Sequence, residues 1–237
     1  MSNVLKLHNL SDYTAISHAI STKAFGSMKK PEGGVHHANL LKFAKSQKFP
    51  SIPICMHQVH GNSVAVVEND RQLVIDATDG LVTNKKGIPL AILTADCLPI
   101  LFYDPENHVI GATHAGRRGL AAGVIHNTIY TMHERFGVDP KNVVVGIGPS
   151  IEKNCYEVSE EIAMEFEKLF PNKHVSEEKA GKYYLDLREV AVQSLLKEGI
   201  LRGNIEVSDI CTKCDDDFYS YRAGDENGRF VSVISLV

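Results

Sequence analysis

The chain of 237 residues has no tryptophan. It shows no internal repeat, which excludes solenoids and arrays, and no linker rich in Gly, Ser or Pro that would divide it. Its longest apolar runs, residues 88–93 and 98–103, fall far short of the roughly 20 residues of a membrane span. Residues 1–10 carry Lys6 but no apolar signal-peptide core, so a cytoplasmic protein is expected. Five cysteines, an odd number, suit free thiols or metal ligands better than a disulfide framework. The net charge of −4 lacks the basic excess of a nucleic-acid binder. Neither a nucleic acid nor a membrane is therefore an expected partner.

What is present is ordinary globular material, 43% hydrophobic and 23% charged, enough for one domain over residues 1–237. Eleven histidines stand out. Residues 1–150 hold 14 Lys and Arg against 11 Asp and Glu, whereas residues 151–237 hold 11 against 18. The mildly basic part suits an anionic small ligand, although chance scatter of surface charge gives the same counts. Short β-branched runs at 64–68, 90–93, 98–103, 109–114, 143–147, 205–210 and 230–236 predict strands. Helices are predicted at 36–47, 119–136, 159–170 and 186–198, the last opened by Asp186 as a capping box with Glu189. Residues 26–34 and 176–182 read as surface loops. Strands and helices without strict alternation predict an α+β fold, a mixed α/β sandwich of largely antiparallel sheets flanked by helices.

The stretch from Cys97 to His114 is the most informative. Asp104-Pro-Glu-Asn107 is a type I turn signal. A hairpin closed there pairs Tyr103 with His108, and the same register sets Cys97 opposite His114 with Cβ atoms about 5 Å apart. Pro99 opposes this, since a proline belongs at an edge or at a bulge that would shift the register. A thiol and an imidazole meeting at one point fit a zinc site or a Cys–His dyad. A buried Cys beside a satisfied core His fits equally well. After His114, Arg117 and Arg118 lead into a helix where their charge opposes the dipole, a placement that suits an anion site as well as solvated surface. His57 and His60 offer a third ligand. Cys211-Thr-Lys-Cys214 reads as two structural thiols, there being no second such pair nor a histidine nearby. Asp215-Asp-Asp217 reads as a solvated turn.

Several segments occur together in an order that carries a resemblance: Gln58-Val-His-Gly61, Thr94-Ala-Asp-Cys97, His114-Ala-Gly-Arg-Arg-Gly119, Gly146-Ile-Gly-Pro149, Cys155-Tyr-Glu-Val158, Asp186-Leu187, Ser220-Tyr-Arg222 and Gly228-Arg229. From about Ser21 onward the chain resembles the laccase-domain family. That family is also known as multicopper polyphenol oxidoreductase-like, polyphenol oxidase or peptidoglycan-editing-factor proteins. The resemblance implies a zinc-dependent purine nucleoside enzyme with phosphorylase and adenosine deaminase activities, and metal ligands at His60, Cys97 and His114. The chain departs from the family pattern at Arg117, where the family usually has Trp, and at Lys23, where it has Arg. It departs again at Ser150 for Cys and at Ala223 for a second Arg, and a family stretch is missing or scrambled around residues 33–39.

Two histidines and one cysteine leave a coordination position open, the pattern of catalytic zinc. Zinc lowers the pKa of bound water to about 7, which suits deamination at C6 of adenine. Asp96, beside Cys97, is the expected proton relay. Arg118 is expected to hold phosphate, with Arg222 and Lys23 as further cations. Four coppers find no support, because the chain has no His-x-His pair, although copper outranks zinc in intrinsic affinity and would enter the three-ligand site adventitiously. Two other readings stay open. One is a cysteine hydrolase or amidase using Cys97 and His114, and the other a non-catalytic protein that binds nucleosides, nucleotide-sugars or peptidoglycan precursors.

Overall fold

The computed structural model describes residues 4–171 and 173–237. The strands of its two large sheets are β1 (Val4–Leu5), β2 (Ile16–Ser21), β3 (Val64–Val66), β4 (Gly80–Thr83), β5 (Leu90–Thr94), β6 (Leu98–Asp104), β7 (Val109–Ala115), β8 (Val144–Ile147), β9 (Ile205–Val207) and β10 (Phe230–Leu236). One sheet runs β1-β2-β10-β5, entirely antiparallel. The other runs β9-β8-β6-β7-β4-β3, antiparallel except for its outer pairs β9–β8 and β4–β3. The longer helices are α1 (His37–Ser46), α2 (Arg117–Ala121), α3 (Val124–Phe136), α4 (Glu160–Leu169) and α5 (Leu187–Lys197).

Strand periodicity dictates how these parts stack. Successive side chains of β6 point to opposite faces. Leu101 and Tyr103 pack with Ile20, Ile92 and Phe230 of the facing sheet. Ile100 and Phe102 pack with Ile125 and Met132 of α3 and Val190 of α5. The outer face of the four-stranded sheet, with Ala91, Leu93 and Val233, is covered by Leu40 and Phe43 of α1. The result is four layers, helix–sheet–sheet–helix, the expected mixed α/β sandwich. Every residue of β6 and β7 is buried, so truncating a side chain such as Phe102 to Ala would cost about 3–5 kcal/mol.

Three local expectations need correction. The β6–β7 hairpin pairs Pro99 with His114 and Asp104 with Val109, two residues away from the expected register. Its four-residue loop lies one position later than expected, at 105–108, where His108 adopts a left-handed conformation, φ 50°, after the Asp104 carboxylate has accepted the Glu106 amide at 3.0 Å. Pro99 needs no bulge: its carbonyl accepts the Gly148 amide from beyond the end of β8, so the missing N–H faces a place where the ladder has already stopped. The single helix expected over 119–136 is two, since Gly123 at φ 83° separates α2 from α3. Residues 176–182 are not a loop but most of a hairpin, Ser176–Lys179 with Lys182–Leu185, turned by Ala180 and Gly181 at positive φ, as primed turns require. Asp186 caps α5 as expected, accepting the Glu189 amide at 3.0 Å.

Candidate active site

A two-residue shift keeps the parity of a strand, so Cys97 and His114 still share a face. Cys97 precedes β6 and lies across from Gly116, whose absent side chain makes the contact feasible. A Cβ there would sit 3.0 Å from both Cys97 Sγ and His60 Cδ2. His60, Cys97 and His114 present ligand atoms that all lie within 4.8 Å of one another, and the two imidazoles meet edge to face at 4.8 Å between centroids.

The residue that organises this trio is Asp79, which the sequence reading passed over. Fully buried before β4, its carboxylate accepts the amides of Val59 at 3.3 Å, His60 at 3.0 Å and Gly61 at 2.7 Å. It also meets His114 Nδ1 at 2.8 Å. The three amides hold His60 in a left-handed backbone conformation, φ 59°, which an isolated histidine rarely adopts. The contact at Nδ1 leaves Nε2 of His114 free as a ligand atom, the outer-shell arrangement common to metal-bound histidines. No sequence signal separates Asp79 from an ordinary Asp-Gly turn.

The electrostatics agree with this arrangement. Burial alone would raise the Cys97 thiol, but the charge of His114 and hydrogen bonds from His114 and His60 outweigh it and bring the pKa down to about 6. Burial likewise opposes protonation of His114, yet Cys97 and Asp79 together lift it to about 9. Asp79 is held below its usual value, because the bonds from His114, Gly61 and Val59 overcome its desolvation. A thiolate and two imidazoles of this geometry are a soft, three-donor set that suits zinc and similar ions. The cradle left by Gly116 keeps their centre clear.

The trio lies in the wall of a cavity of about 910 Å³, large enough for a nucleoside-sized ligand. Asp96, Arg118 and Arg222 also line it, as do Arg117, Tyr156 and Arg229. Arg222 stacks on Tyr156 at 4.8 Å and donates to the Glu157 carbonyl. Burial pushes the Tyr156 phenol above its usual value, with the charges of Arg117 and Arg222 opposing. Asp96 adopts a left-handed backbone conformation, φ 85°. Its Oδ1 accepts the Thr212 hydroxyl and its Oδ2 the Arg222 amide, both at 2.7 Å. The residue thus ties β6 to the segment that carries Arg222. Lys23 is not among the cavity-lining residues. It pairs with Asp225 at 3.2 Å and lies over the Tyr219 ring, which removes it from direct contact with a ligand there. Among the described residues no helix is long and apolar enough to cross a membrane.

Comparison with known proteins places these residues in context. A purine nucleoside phosphorylase of Bacteroides thetaiotaomicron is 31% identical over 98% of this chain and 96% of its own. Purine nucleoside phosphorylase SCO2081 of Streptomyces coelicolor is 37% identical over 79% and 76%. The crystal structure of the hypothetical protein YfiH of Bacillus licheniformis superposes with a TM-score of 0.87 at 28% identity, covering 99% of this chain and 97% of that one. YlmD of Geobacillus stearothermophilus gives 0.85 at 28%, over 99% and 96%. The family model described as multi-copper polyphenol oxidoreductase laccase matches residues 29–237, a span that includes Asp79, the His60–Cys97–His114 trio and all four cavity arginines. The chain belongs to that family.

Proposed function

We propose that the protein is a zinc-dependent purine nucleoside enzyme. It would cleave nucleosides such as adenosine, inosine and guanosine with phosphate to give the base and ribose 1-phosphate, and deaminate adenosine to inosine in the same cavity. The observation that carries this reading is one cavity holding both the His60–Cys97–His114 donor set and the four guanidinium groups of Arg117, Arg118, Arg222 and Arg229. The relatives bearing the name purine nucleoside phosphorylase support the substrate class. Small molecules are then its partners, with neither nucleic acid nor membrane involved, and the cytoplasm its compartment.

His60, Cys97 and His114 would hold the ion, and Asp79 keeps His114 oriented through Nδ1. When bound, zinc supplies a Lewis acid with one open coordination position. The arginines perform the anion work: a guanidinium binds phosphate oxygens in pairs with fixed geometry, and Arg118 and Arg222 are the groups assigned to it. Tyr156, backed by Arg222, offers an aromatic face to a purine ring. Asp96 fixes the Arg222 backbone. Incubating the purified protein with adenosine and phosphate tests the reading, with inosine, adenine, hypoxanthine and ribose 1-phosphate followed by chromatography. Turnover that falls on chelation and in Cys97→Ala supports it, and no turnover with zinc fully loaded overturns it. Asp96→Asn separates two roles: selective loss of deamination marks a proton relay, whereas equal loss of both activities marks positioning.

A second reading has one observation in its favour. Asp79, His114 and Cys97 form an acid–base–nucleophile line of the kind a cysteine hydrolase uses. It leaves His60 without a task. Activity that survives chelation and dies with iodoacetamide would select it.

A further inference from the structure

Three of the five cysteines stand away from the cavity trio and meet one another. The segment after β8 and the segment after β9 run side by side through a parallel bridge between Ser150 and Cys211. Arg188 reinforces the crossing by donating to the carbonyls of both Ser150 and Ile210. Cys155 and Glu152 come from the first segment, Cys211 and Cys214 from the second, and their ligand atoms all lie within 4.8 Å of one another. Cys155 Sγ is 3.3 Å from Cys214 Sγ and 4.0 Å from Glu152 Oε1. Tetrahedral zinc with bonds of about 2.3 Å to sulfur spaces its ligand atoms about 3.8 Å apart, in the middle of that range.

The local backbone fits a metal knuckle. The amides of Cys214 and Asp215 donate to the Cys211 carbonyl at 3.1 and 3.0 Å, closing a tight C-x-x-C turn. The Glu152 amide approaches Cys211 Sγ at 3.5 Å. Thiols placed only for packing would be buried, yet Cys155 is half-buried and Cys214 exposed. The pair of structural thiols expected from the sequence therefore has a third member and a carboxylate, which distance along the chain concealed.

We propose that Cys155, Cys211 and Cys214, with Glu152 as fourth ligand, bind a second zinc ion distinct from the one at His60, Cys97 and His114. Binding displaces the three thiol protons to solvent and changes no oxidation state. Four protein ligands leave no open position, so this ion is structural. It clamps the residues next to Tyr156 to those next to Thr212, and through the Thr212–Asp96 bond it steadies the wall that carries Arg222.

The test uses full-length protein purified anaerobically, with zinc counted by plasma mass spectrometry. Wild type is expected to hold about two ions per chain, and about one is expected in Cys97→Ala and in the double variant Cys155→Ser/Cys214→Ser. Cobalt(II) loaded into Cys97→Ala is expected to give thiolate-to-cobalt charge-transfer absorption, since no thiol remains at the first centre. If the double variant fails to fold, native thiol titration of wild type before and after chelation still decides, because four further thiols, Cys97 and the three of the second centre, should become reactive rather than Cys97 alone. One ion per wild-type chain, no charge-transfer band in Cys97→Ala, or an intact mass short of two hydrogens from a Cys155–Cys214 disulfide would each overturn the proposal.

Discussion

Asp79 receives three backbone amides and one imidazole while excluded from solvent. A buried carboxylate is tolerated only when its oxygens are satisfied in this way, and here the satisfaction does the positioning. Asp79→Asn keeps the shape but puts an NH₂ group where an acceptor is needed. Zinc affinity at the trio should fall about 10–100-fold, measured by competition with a chromogenic chelator in a variant lacking Cys155 and Cys214. Affinity equal to wild type would show that Asp79 only braces the loop. Gly116 offers a cleaner probe, since its backbone is unstrained and only space is at stake. In Gly116→Ala the new methyl presses on Cys97 Sγ and His60 Cδ2 at 3.0 Å. Metal occupancy should drop several-fold while the thermal midpoint of the metal-free protein stays within a few degrees, within reach of calorimetry and metal analysis. At this scale the sequence pointed to the two histidines and the cysteine that the fold brings together, because Cys and His in short motifs stand out from their surroundings. It hid Asp79, because an Asp before a Gly looks the same in a turn as under a metal site.

Among the elements, the helix and strand periods were legible wherever one face is buried and the ends are capped, as in α5 with Asp186. The expected register failed by two residues because the four-residue loop lies one position later, at 105–108 instead of 104–107, with His108 left-handed at its end, and no rule of turn composition prescribes a histidine there. Exposed strands also escaped: Ser176–Lys179 is polar throughout and carries no period-two signal. The break between α2 and α3 rests on Gly123, where a Cβ meets nothing closer than 3.9 Å. Gly123→Ala should therefore cost about 1–2 kcal/mol through left-handed backbone strain alone, read by denaturant unfolding, with Gly123→Asn recovering part of it. A pH dependence belongs to β2. His18 is 2% exposed, and its Nε2 accepts the Leu7 amide at 2.8 Å. Burial first, then Lys6, lowers its pKa to about 4 from 6.5. The unfolded chain thus binds more protons than the native one between those values. The stability His18 contributes is complete above pH 6.5 and declines as pH falls toward 4, a loss of about 3 kcal/mol. Stability curves of wild type and His18→Gln against pH should differ in slope within that window, and parallel curves would dismiss His18 as the source.

For the whole molecule, the four layers supply rigidity where the site needs it. The ends of β6 and β7 set Cys97 and His114, and the loop bearing His60 is tied to the same sheet through Asp79 before β4. All these bonds are made between protein atoms alone. A chelator should therefore leave a folded protein with a cooperative transition and native near-ultraviolet dichroism, its midpoint lowered only by the binding free energy of the lost metal. A collapse of dichroism on chelation, in protein lacking Cys155 and Cys214, would contradict this. The clamp of Asp79 on residues 59–61 also bears on time as well as equilibrium. When the ligands already stand in place, metal uptake needs no preceding rearrangement. Its rate should rise in proportion to free zinc with no concentration-independent phase, governed by encounter and by shedding of the water around the ion.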